Sequence, residues 1–469
     1  MRTRAERRVA ARYRWDRLKV SFWFAPALMA LGAVLLAWAM YWVDGRIPNE
    51  VLQDSRFVLA GSPGELRSAL LSMAGTVLAT AGVVFTLLTL PLSTVAAQYG
   101  SRLLRIFLGD RTAQFVLGMF VATFVYCIAA ALSIPPADVE PESPQLTATL
   151  GVYLMLATFA TLILLVQHIS TMLQAPNIAA AAGAELLEVV GAEDTDGITG
   201  SDNGEGGADI GPTSQDAPAS LAETEGYPVR IEKNGYIQYI DPEIMLALAR
   251  EKNLVIRLLH KPGRFVGPGA AVALVWPAER VDEKLDRQLH RAFQIGNVRT
   301  PTQDVEYAVN QLTEMAVRAM SQAINDPFTA MTCLDHIGEG LAKFVRHGET
   351  SAHYYDQDGK LRVILEPVAF GELLRAAFDM LRHASCDNAS VLLHMLAAID
   401  VIGQEAKTPE ARQELLHHVS LIQAESQVGS LIEDDRRRIE RSVDDLTQKL
   451  KAAPGEAPPH RWRNDASNH

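Results

Sequence analysis

Six polar residues in two short stretches are the best candidates for a binding site in this sequence. They are Arg299, Gln303 and Asp304 in the first stretch, and Asn325, Asp326 and Thr329 in the second. A guanidinium, carboxyls, amides and a hydroxyl can together line a polar pocket for a small ligand or a neighbouring subunit. The alternative is structural, because Asn and Asp before a proline favour a turn and cap the helix that follows. The sequence leaves both interpretations open.

The histidine and cysteine residues do not form a metal or catalytic motif. The pairs that come closest are Asp335 with His336, His383 with Cys386, and His417 with His418. None has the ligand number and spacing of a structural zinc site. The sequence also contains no Ser-His-Asp order, phosphate loop or Gly-x-Gly-x-x-Gly stretch. We therefore expect no metal, no cofactor and no enzymatic activity.

A stripe of small and weakly polar residues runs along one face of a predicted helix. It comprises Ser72, Gly75, Thr76, Ala79, Thr80, Gly82 and Thr86, at three- and four-residue spacing. Small residues let helices approach closely in a membrane, so one interpretation is helix packing. The other is that the stripe lines a pore or groove in an oligomer.

Three arginines follow this helix, Arg102, Arg105 and Arg111. Basic residues in a short loop determine membrane topology by holding the loop in the cytoplasm. If the preceding helix lined a pore, the same arginines would surround its cytoplasmic mouth and favour anions.

The elements that carry these residues begin with four apolar segments, at residues 20–43, 68–98, 112–136 and 143–167. Each exceeds the ~20 residues needed to cross a bilayer, and none contains Asp, Glu, Lys or Arg. Residues 1–19 are strongly basic, and the loop 137–142 is acidic. Loop charges therefore predict a multi-pass protein of the bacterial inner membrane with both termini in the cytoplasm.

The rest of the chain is polar and contains most of the acidic residues. We predict an acidic flexible linker at 191–226, a small β-rich module at 227–278, a helical cytoplasmic domain at 279–451 and a disordered tail at 452–469. Within the module, Asn234-Gly235 is typical of a hairpin turn between two strands. The expected fold class is mainly α, with a four-span membrane domain followed by the module and a helical bundle.

Composition limits the partners. The formal net charge is −12, so we expect no nucleic-acid partner. The three cysteines, Cys127, Cys333 and Cys386, are scattered and give no disulfide framework. The bilayer is the expected partner, together with further copies of the chain and a cytoplasmic protein or small ligand.

Three stretches carry a family resemblance. They are residues 75–90 with the loop 99–110, residues 118–126, and residues 299–304 with the segment 319–330, which contains Asn-Asp-Pro-Phe-Thr-Ala. In these stretches the chain resembles the bacterial family of predicted membrane proteins designated domain of unknown function 2254. Tyr307 and Ala308 replace the aromatic-glycine pair common in that family. The resemblance implies an integral membrane protein with a cytoplasmic C-terminal region, and it implies no activity.

Two functional hypotheses follow. The first is a homo-oligomeric channel or solute-conducting pore with a cytoplasmic regulatory region. It rests on the small stripe and on the absence of intramembrane charge, which disfavours ion-coupled transport. The second is a non-conducting, membrane-anchored scaffold or sensor that binds a ligand or protein through its cytoplasmic domain. A membrane enzyme ranks third.

Overall fold

The computed structural model describes residues 23–46, 58–59, 61–98, 110–134, 144–172, 174–195, 226–347, 353–356 and 358–452. The predictions for the basic N-terminus, most of the acidic linker, Arg102, Arg105 and the C-terminal tail lie outside these residues. The chain forms two compact units, Met1–Ile178 and Ala179–His469.

Four long apolar helices make up the first unit: α1 (Phe24–Asp44), α2 (Pro63–Gln98), α3 (Arg111–Ser133) and α4 (Gln145–Met172). Each is long and apolar enough to cross a membrane. The four segments predicted from hydropathy are thereby confirmed, with ends that differ by a few residues.

Helix α3 is the centre of this bundle and packs against α1, α2 and α4. Half of its apolar segment is buried, against about a fifth for each of the other three. A glycine allows close approach at the α2–α4 contact, because a Cβ at Gly151 would lie 2.8 Å from Leu70 Cδ2. Tyr126 of α3 is fully buried beside it and donates to Thr147 O at 2.9 Å.

Two small sheets with short helices follow in the second unit. The elements are α5 (Ala175–Thr195, of which residues from Ala179 belong here), β1 (Tyr227–Arg230), β2 (Gly235–Ile240), α6 (Pro242–Lys252), β3 (Val255–Leu258), β4 (Phe265–Val266), β5 (Ala271–Trp276), α7 (Glu283–Arg291) and β6 (Phe293–Gly296). One apolar core joins both sheets to α6 and α7.

The strand pairing differs from the predicted hairpin. Strands β1 and β2 flank Asn234-Gly235 but lie in different sheets: β1 pairs with β5, whereas β2 pairs with β4 and β6. The hairpin prediction is wrong because the long-range partner β5 pairs with β1.

The remaining elements are mostly helices: α8 (Val305–Ala319), α9 (Pro327–His347), β7 (His353–Tyr355), β8 (Leu361–Ile364), α10 (Phe370–Ala384), α11 (Ala389–Glu405), α12 (Pro409–Val428) and α13 (Glu433–Lys451). The predicted fold class, mainly α with a small β-rich part, is confirmed. The boundary at residue 278 does not separate sheet from helices. Strands β6, β7 and β8 lie beyond it, and β8 pairs in parallel with β3 in the five-stranded sheet β1-β5-β3-β8-β7.

Candidate functional site

The first predicted cluster is an ion pair at the start of α8. Arg299 donates to both carboxylate oxygens of Asp304, from Nε at 2.7 Å and from the terminal nitrogen at 2.8 Å. Asp304 also caps α8 by accepting from Tyr307 N at 2.9 Å. Burial raises the pKa of the Asp304 carboxyl, and its hydrogen bonds with Arg299 act against that rise. Gly263 makes room for the pair, since a Cβ there would lie 2.6 Å from Asp304 Cγ.

Gln303 connects this end of α8 to the sheet. Its carbonyl oxygen accepts from Ile240 N at 2.8 Å, and its amide nitrogen donates to Ile240 O at 3.0 Å. Ile240 ends β2, so the side chain fixes the helical part of the unit to the three-stranded sheet.

The second predicted cluster forms the turn between α8 and α9. Asp326 caps α9 by accepting from Thr329 N at 3.1 Å and from Thr329 Oγ1 at 2.6 Å. Asn325 has φ of 49° and donates its backbone N–H to Ser321 O at 2.8 Å. Helix α8 ends at Ala319, before this left-handed turn. The capping predicted for Asp326 is confirmed.

The structure does not bring the six residues together. Arg299, Gln303 and Asp304 lie at the beginning of α8, whereas Asn325, Asp326 and Thr329 follow its end. A helix of this length spans about 22 Å at 1.5 Å per residue. The side chains of Asp326 and Thr329 contact each other within the turn, as in a helix cap.

Replacing Asp326 with Ala tests that local role. The substitution leaves the Thr329 N–H without its cap, so we expect it to lower the free energy of unfolding by about 1 kcal/mol. Chemical denaturation of the full-length protein in detergent measures this change. An Asp326→Asn variant keeps an acceptor and should lose less, and a loss of more than about 3 kcal/mol would require a role beyond the cap.

A shallow groove between α8 and α10 starts beside the Arg299–Asp304 pair. Its volume is about 460 Å³, and its walls carry Glu306, Asn310, Glu372, Arg375, Ala376, Asp379 and Met380. Glu306 accepts from Arg299 at 3.5 Å, and Glu372 pairs with Lys261 of the sheet region. The groove therefore offers charges of both signs to a small polar ligand.

His418 lies behind one wall of this groove. It is 1% exposed, its ring packs against Phe378, and its Nδ1 is 4.0 Å from Asp379 Oδ1. Burial lowers the pKa of His418 to about 4. The ring is neutral at neutral pH, so its contact with Asp379 is not an ion pair there.

In the membrane unit, the predicted stripe of α2 faces outward. Six of its residues are exposed and Thr80 is half-buried; they are Ser72, Gly75, Thr76, Ala79, Thr80, Gly82 and Thr86. The opposite face of α2 is buried in the bundle through Leu66, Leu70, Ala74, Val77 and Val84. Within the described part of the chain, no atom lies within 4 Å of a Cβ built at Gly75 or Gly82.

The threonine hydroxyls of this face are satisfied within the helix. Thr76, Thr80 and Thr86 each donate to the carbonyl four residues earlier, at 2.9–3.1 Å. Their oxygens remain able to accept a hydrogen bond from outside, which makes the face weakly polar.

Two carboxylates of the first unit were not identified as site residues from sequence. Asp44, at the end of α1, accepts from Leu146 N at 2.9 Å and Thr147 N at 2.7 Å, and so caps α4. Asp110 caps α3 and contacts His168 of α4. Sequence could have indicated Asp110, because it precedes Thr112 as an N-cap residue.

Arg111, the described member of the predicted basic loop, is exposed at the first position of α3.

Among the described residues, no group of three or more His, Cys, Asp and Glu side chains is placed to hold a metal ion. His394 contacts Asp335 at 2.6 Å and His383 contacts Glu425 at 3.1 Å, each as a pair.

Comparison with known proteins places the chain among membrane proteins. Residues 19–400 match the family described as predicted membrane protein, DUF2254. Three uncharacterized proteins, one from Mycobacterium bovis and two from strains of Mycobacterium tuberculosis, are each 24% identical to it over 413 residues. The match covers 86% of this chain and 76% of each relative. No solved structure matches.

Proposed function

This chain belongs to the DUF2254 family of predicted membrane proteins, and from that premise we propose that it forms a homo-oligomeric channel for a small solute. The observation that carries the proposal is the outward face of α2, with Gly75 and Gly82 open and the hydroxyls of Thr76, Thr80 and Thr86 accessible. Copies of α2 arranged around an axis would place this face toward the pore.

The contrast between these small residues and the large apolar side chains elsewhere on the membrane unit supports this arrangement; Leu78, Val83 and Phe85 of α2 are among those exposed apolar side chains. Large apolar side chains cover the exposed surfaces of α1 and α4, among them Leu28, Leu35, Ile163 and Leu164. Such surfaces suit lipid tails, whereas small residues favour close helix–helix contact and weakly polar ones favour water. The small face of α2 is thus better suited to other copies of the chain and a central pore than to lipid.

The membrane topology is part of the same proposal. Both termini lie in the cytoplasm of a bacterium, and the second unit regulates conduction from that side of the inner membrane. The arginines around the α2–α3 loop would surround the cytoplasmic mouth, so anions are expected to pass more readily than cations. Passive conduction fits spans without an ionisable residue in their apolar segments.

Gly75→Leu and Gly82→Leu test the channel. Leucine at either position would separate neighbouring α2 helices, so we expect loss of the oligomer. Flux should fall at least about tenfold, because weakening the contact between subunits by only about 1.4 kcal/mol lowers the association constant tenfold. The measurements are chloride and potassium flux in liposomes and the mass of the detergent-solubilised complex.

Gly32→Leu is the matched control. Gly32 is an exposed glycine of the spanning helix α1, and a Cβ there meets no atom within 4 Å. Wild-type mass and flux are expected for this variant. Wild-type mass and flux in both α2 variants would contradict the proposal.

A ligand-binding scaffold or sensor is the second candidate, and the groove between α8 and α10 favours it. A volume of about 460 Å³ lies within the size range of small-molecule sites. Absence of flux from the wild-type protein, across both ions and a range of voltages, would favour this candidate over the channel.

A further inference from the structure

Two oppositely charged side chains on the wall of the α8–α10 groove have no hydrogen-bonded partner. They are Arg375 and Asp379, both on α10. Within the part of the chain that the structure describes, Arg375 forms no ion pair and Asp379 accepts no hydrogen bond. The groove therefore presents one available charge of each sign.

The other acidic side chains of the groove already contact donors of their own. Glu372 pairs with Lys261. Glu306 accepts from Arg299 at 3.5 Å and from Asn310 at 3.4 Å. A ligand would therefore compete with existing contacts at Glu372 and Glu306, but not with a hydrogen bond at Asp379.

Two basic neighbours of Asp379 leave its charge available. Arg382 is 3.8 Å from Asp379, but its guanidinium makes the closer ion pair with Glu425. His418 Nδ1 is 4.0 Å from Asp379 Oδ1, which is too long for a hydrogen bond. Neither nitrogen of the buried His418 ring has a partner among the described residues, and burial lowers its pKa to about 4. The neutral ring behind Asp379 does not offset the carboxylate charge.

The spacing of Arg375 and Asp379 places their charges on one face of α10. They are four residues apart, which is about 6 Å along the helix axis. Their order, cation before anion, is the less favourable one for a pair at this spacing. Arg375 is exposed and the Asp379 side chain is 39% exposed, so a ligand in the groove can reach both.

An apolar contact surface lies next to these charges. Met380 is 65% exposed and lines the same wall as Ala376. A flexible thioether side chain adapts to apolar groups of different shapes. The groove thus combines a cation, an anion and an apolar surface within two turns of one helix.

We propose that the groove binds a free α-amino acid with an apolar side chain. The carboxylate of the ligand pairs with Arg375, its ammonium group pairs with Asp379, and its side chain lies against Met380. A guanidinium can hold a carboxylate through two parallel hydrogen bonds, and an ammonium group brings three donors to Asp379. This inference rests on the ligand-binding candidate for the groove and not on conduction, so ligand binding and channel flux can fail separately.

Equilibrium binding to the full-length protein in detergent tests the class of ligand. The probe is tritiated L-leucine, and the competitors are L-leucinamide, which lacks the carboxylate, and isocaproate, which lacks the ammonium group. We expect saturable binding of leucine. Each analogue should compete at least about tenfold more weakly than leucine, because each loses one charge-assisted pair. Leucinamide or isocaproate competing as well as leucine would overturn the proposal, and so would the absence of saturable leucine binding at millimolar concentration.

Substitutions at the two charges test the location. Arg375→Gln should remove the preference for leucine over leucinamide, Arg375→Lys should keep it, and Asp379→Asn should remove the preference for leucine over isocaproate. These ratios of affinities distinguish loss of a charge contact from general unfolding, and labelling of the buried Cys333 thiol at the wild-type rate verifies the fold. Arg287→Gln is the matched control, because Arg287 is exposed on α7 and does not line the groove. Wild-type ratios in Arg375→Gln and Asp379→Asn would overturn the assignment.

Discussion

Arg299→Met is expected to destabilise the second unit by about 3–5 kcal/mol, because it leaves the Asp304 carboxylate buried without its partner. The Asp304 side chain is 3% exposed, and methionine replaces the volume of the arginine stem but not its charge. The rate at which the Cys333 thiol is labelled reports this loss. Cys333 is buried in α9, and burial raises its pKa to about 12. Labelling should accelerate at least about a hundredfold, because lowering the free energy of unfolding by about 3 kcal/mol raises the population of the open state by that factor.

The same variant has a defined pH dependence. Burial raises the pKa of Asp304 in the folded state, and the hydrogen bonds and charge of Arg299 act against that rise. Without Arg299 the folded-state pKa should therefore lie further above the value of about 3.9 in an unfolded chain. A folded state that binds the proton more tightly loses stability as pH rises. The destabilisation should therefore be smaller at pH 5 than at pH 8.

Arg287→Met is the control for the charge change. Arg287 pairs with Glu283 at 2.9 Å, but both side chains are mostly exposed, so the loss should not exceed about 1 kcal/mol. If Arg299→Met behaved like Arg287→Met, the ion pair would not stabilise the junction of sheet and helices.

Asp44→Ala is expected to loosen the membrane unit by about 2 kcal/mol. The carboxylate is buried and accepts three hydrogen bonds, from Leu146 N, Thr147 N and Thr147 Oγ1. Without it, the first turn of α4 keeps buried donors that no other described side chain satisfies. Cys127 packs in the same apolar cluster as Ala148 of α4 and reports the change. Its labelling should accelerate about thirtyfold in detergent.

Asp44→Asn is the matched variant, because its amide oxygen retains an acceptor and should preserve part of the stability. Cys333 should be labelled at the wild-type rate in both Asp44 variants, just as Cys127 should in Arg299→Met. Unchanged Cys127 labelling in Asp44→Ala would show that this cap is not needed to hold α4.

Local patterns determined most of the elements. A run of apolar residues without charge must be a spanning helix, since only an internally hydrogen-bonded segment is stable in lipid. Periodic apolar residues likewise predicted that residues 279–451 are mostly helical, and α8 to α13 lie there. The N-cap role of Asp326 was accessible for the same reason: its partner Thr329 is three residues away.

Tertiary structure decided what depends on distant partners. The Asn234-Gly235 signal is local, but β1 pairs with β5, some forty residues later, and β2 joins another sheet. Asp44 was not identified as a helix cap because its partners, Leu146 and Thr147, are about a hundred residues away. Sequence spacing also gave no measure of the separation between the two polar clusters, which α8 holds apart.

The small stripe of α2 shows, within one helix, what the sequence determined and what the tertiary structure decided. Its spacing determined that Gly75, Gly82 and Thr86 share a face, because the helical repeat is fixed by local geometry. Whether that face is buried or exposed depends on how α2 meets α3 and α4, which the repeat does not specify. The bundle buries Leu66, Leu70, Ala74, Val77 and Val84, and leaves outward both the small residues and large apolar ones such as Leu78 and Phe85.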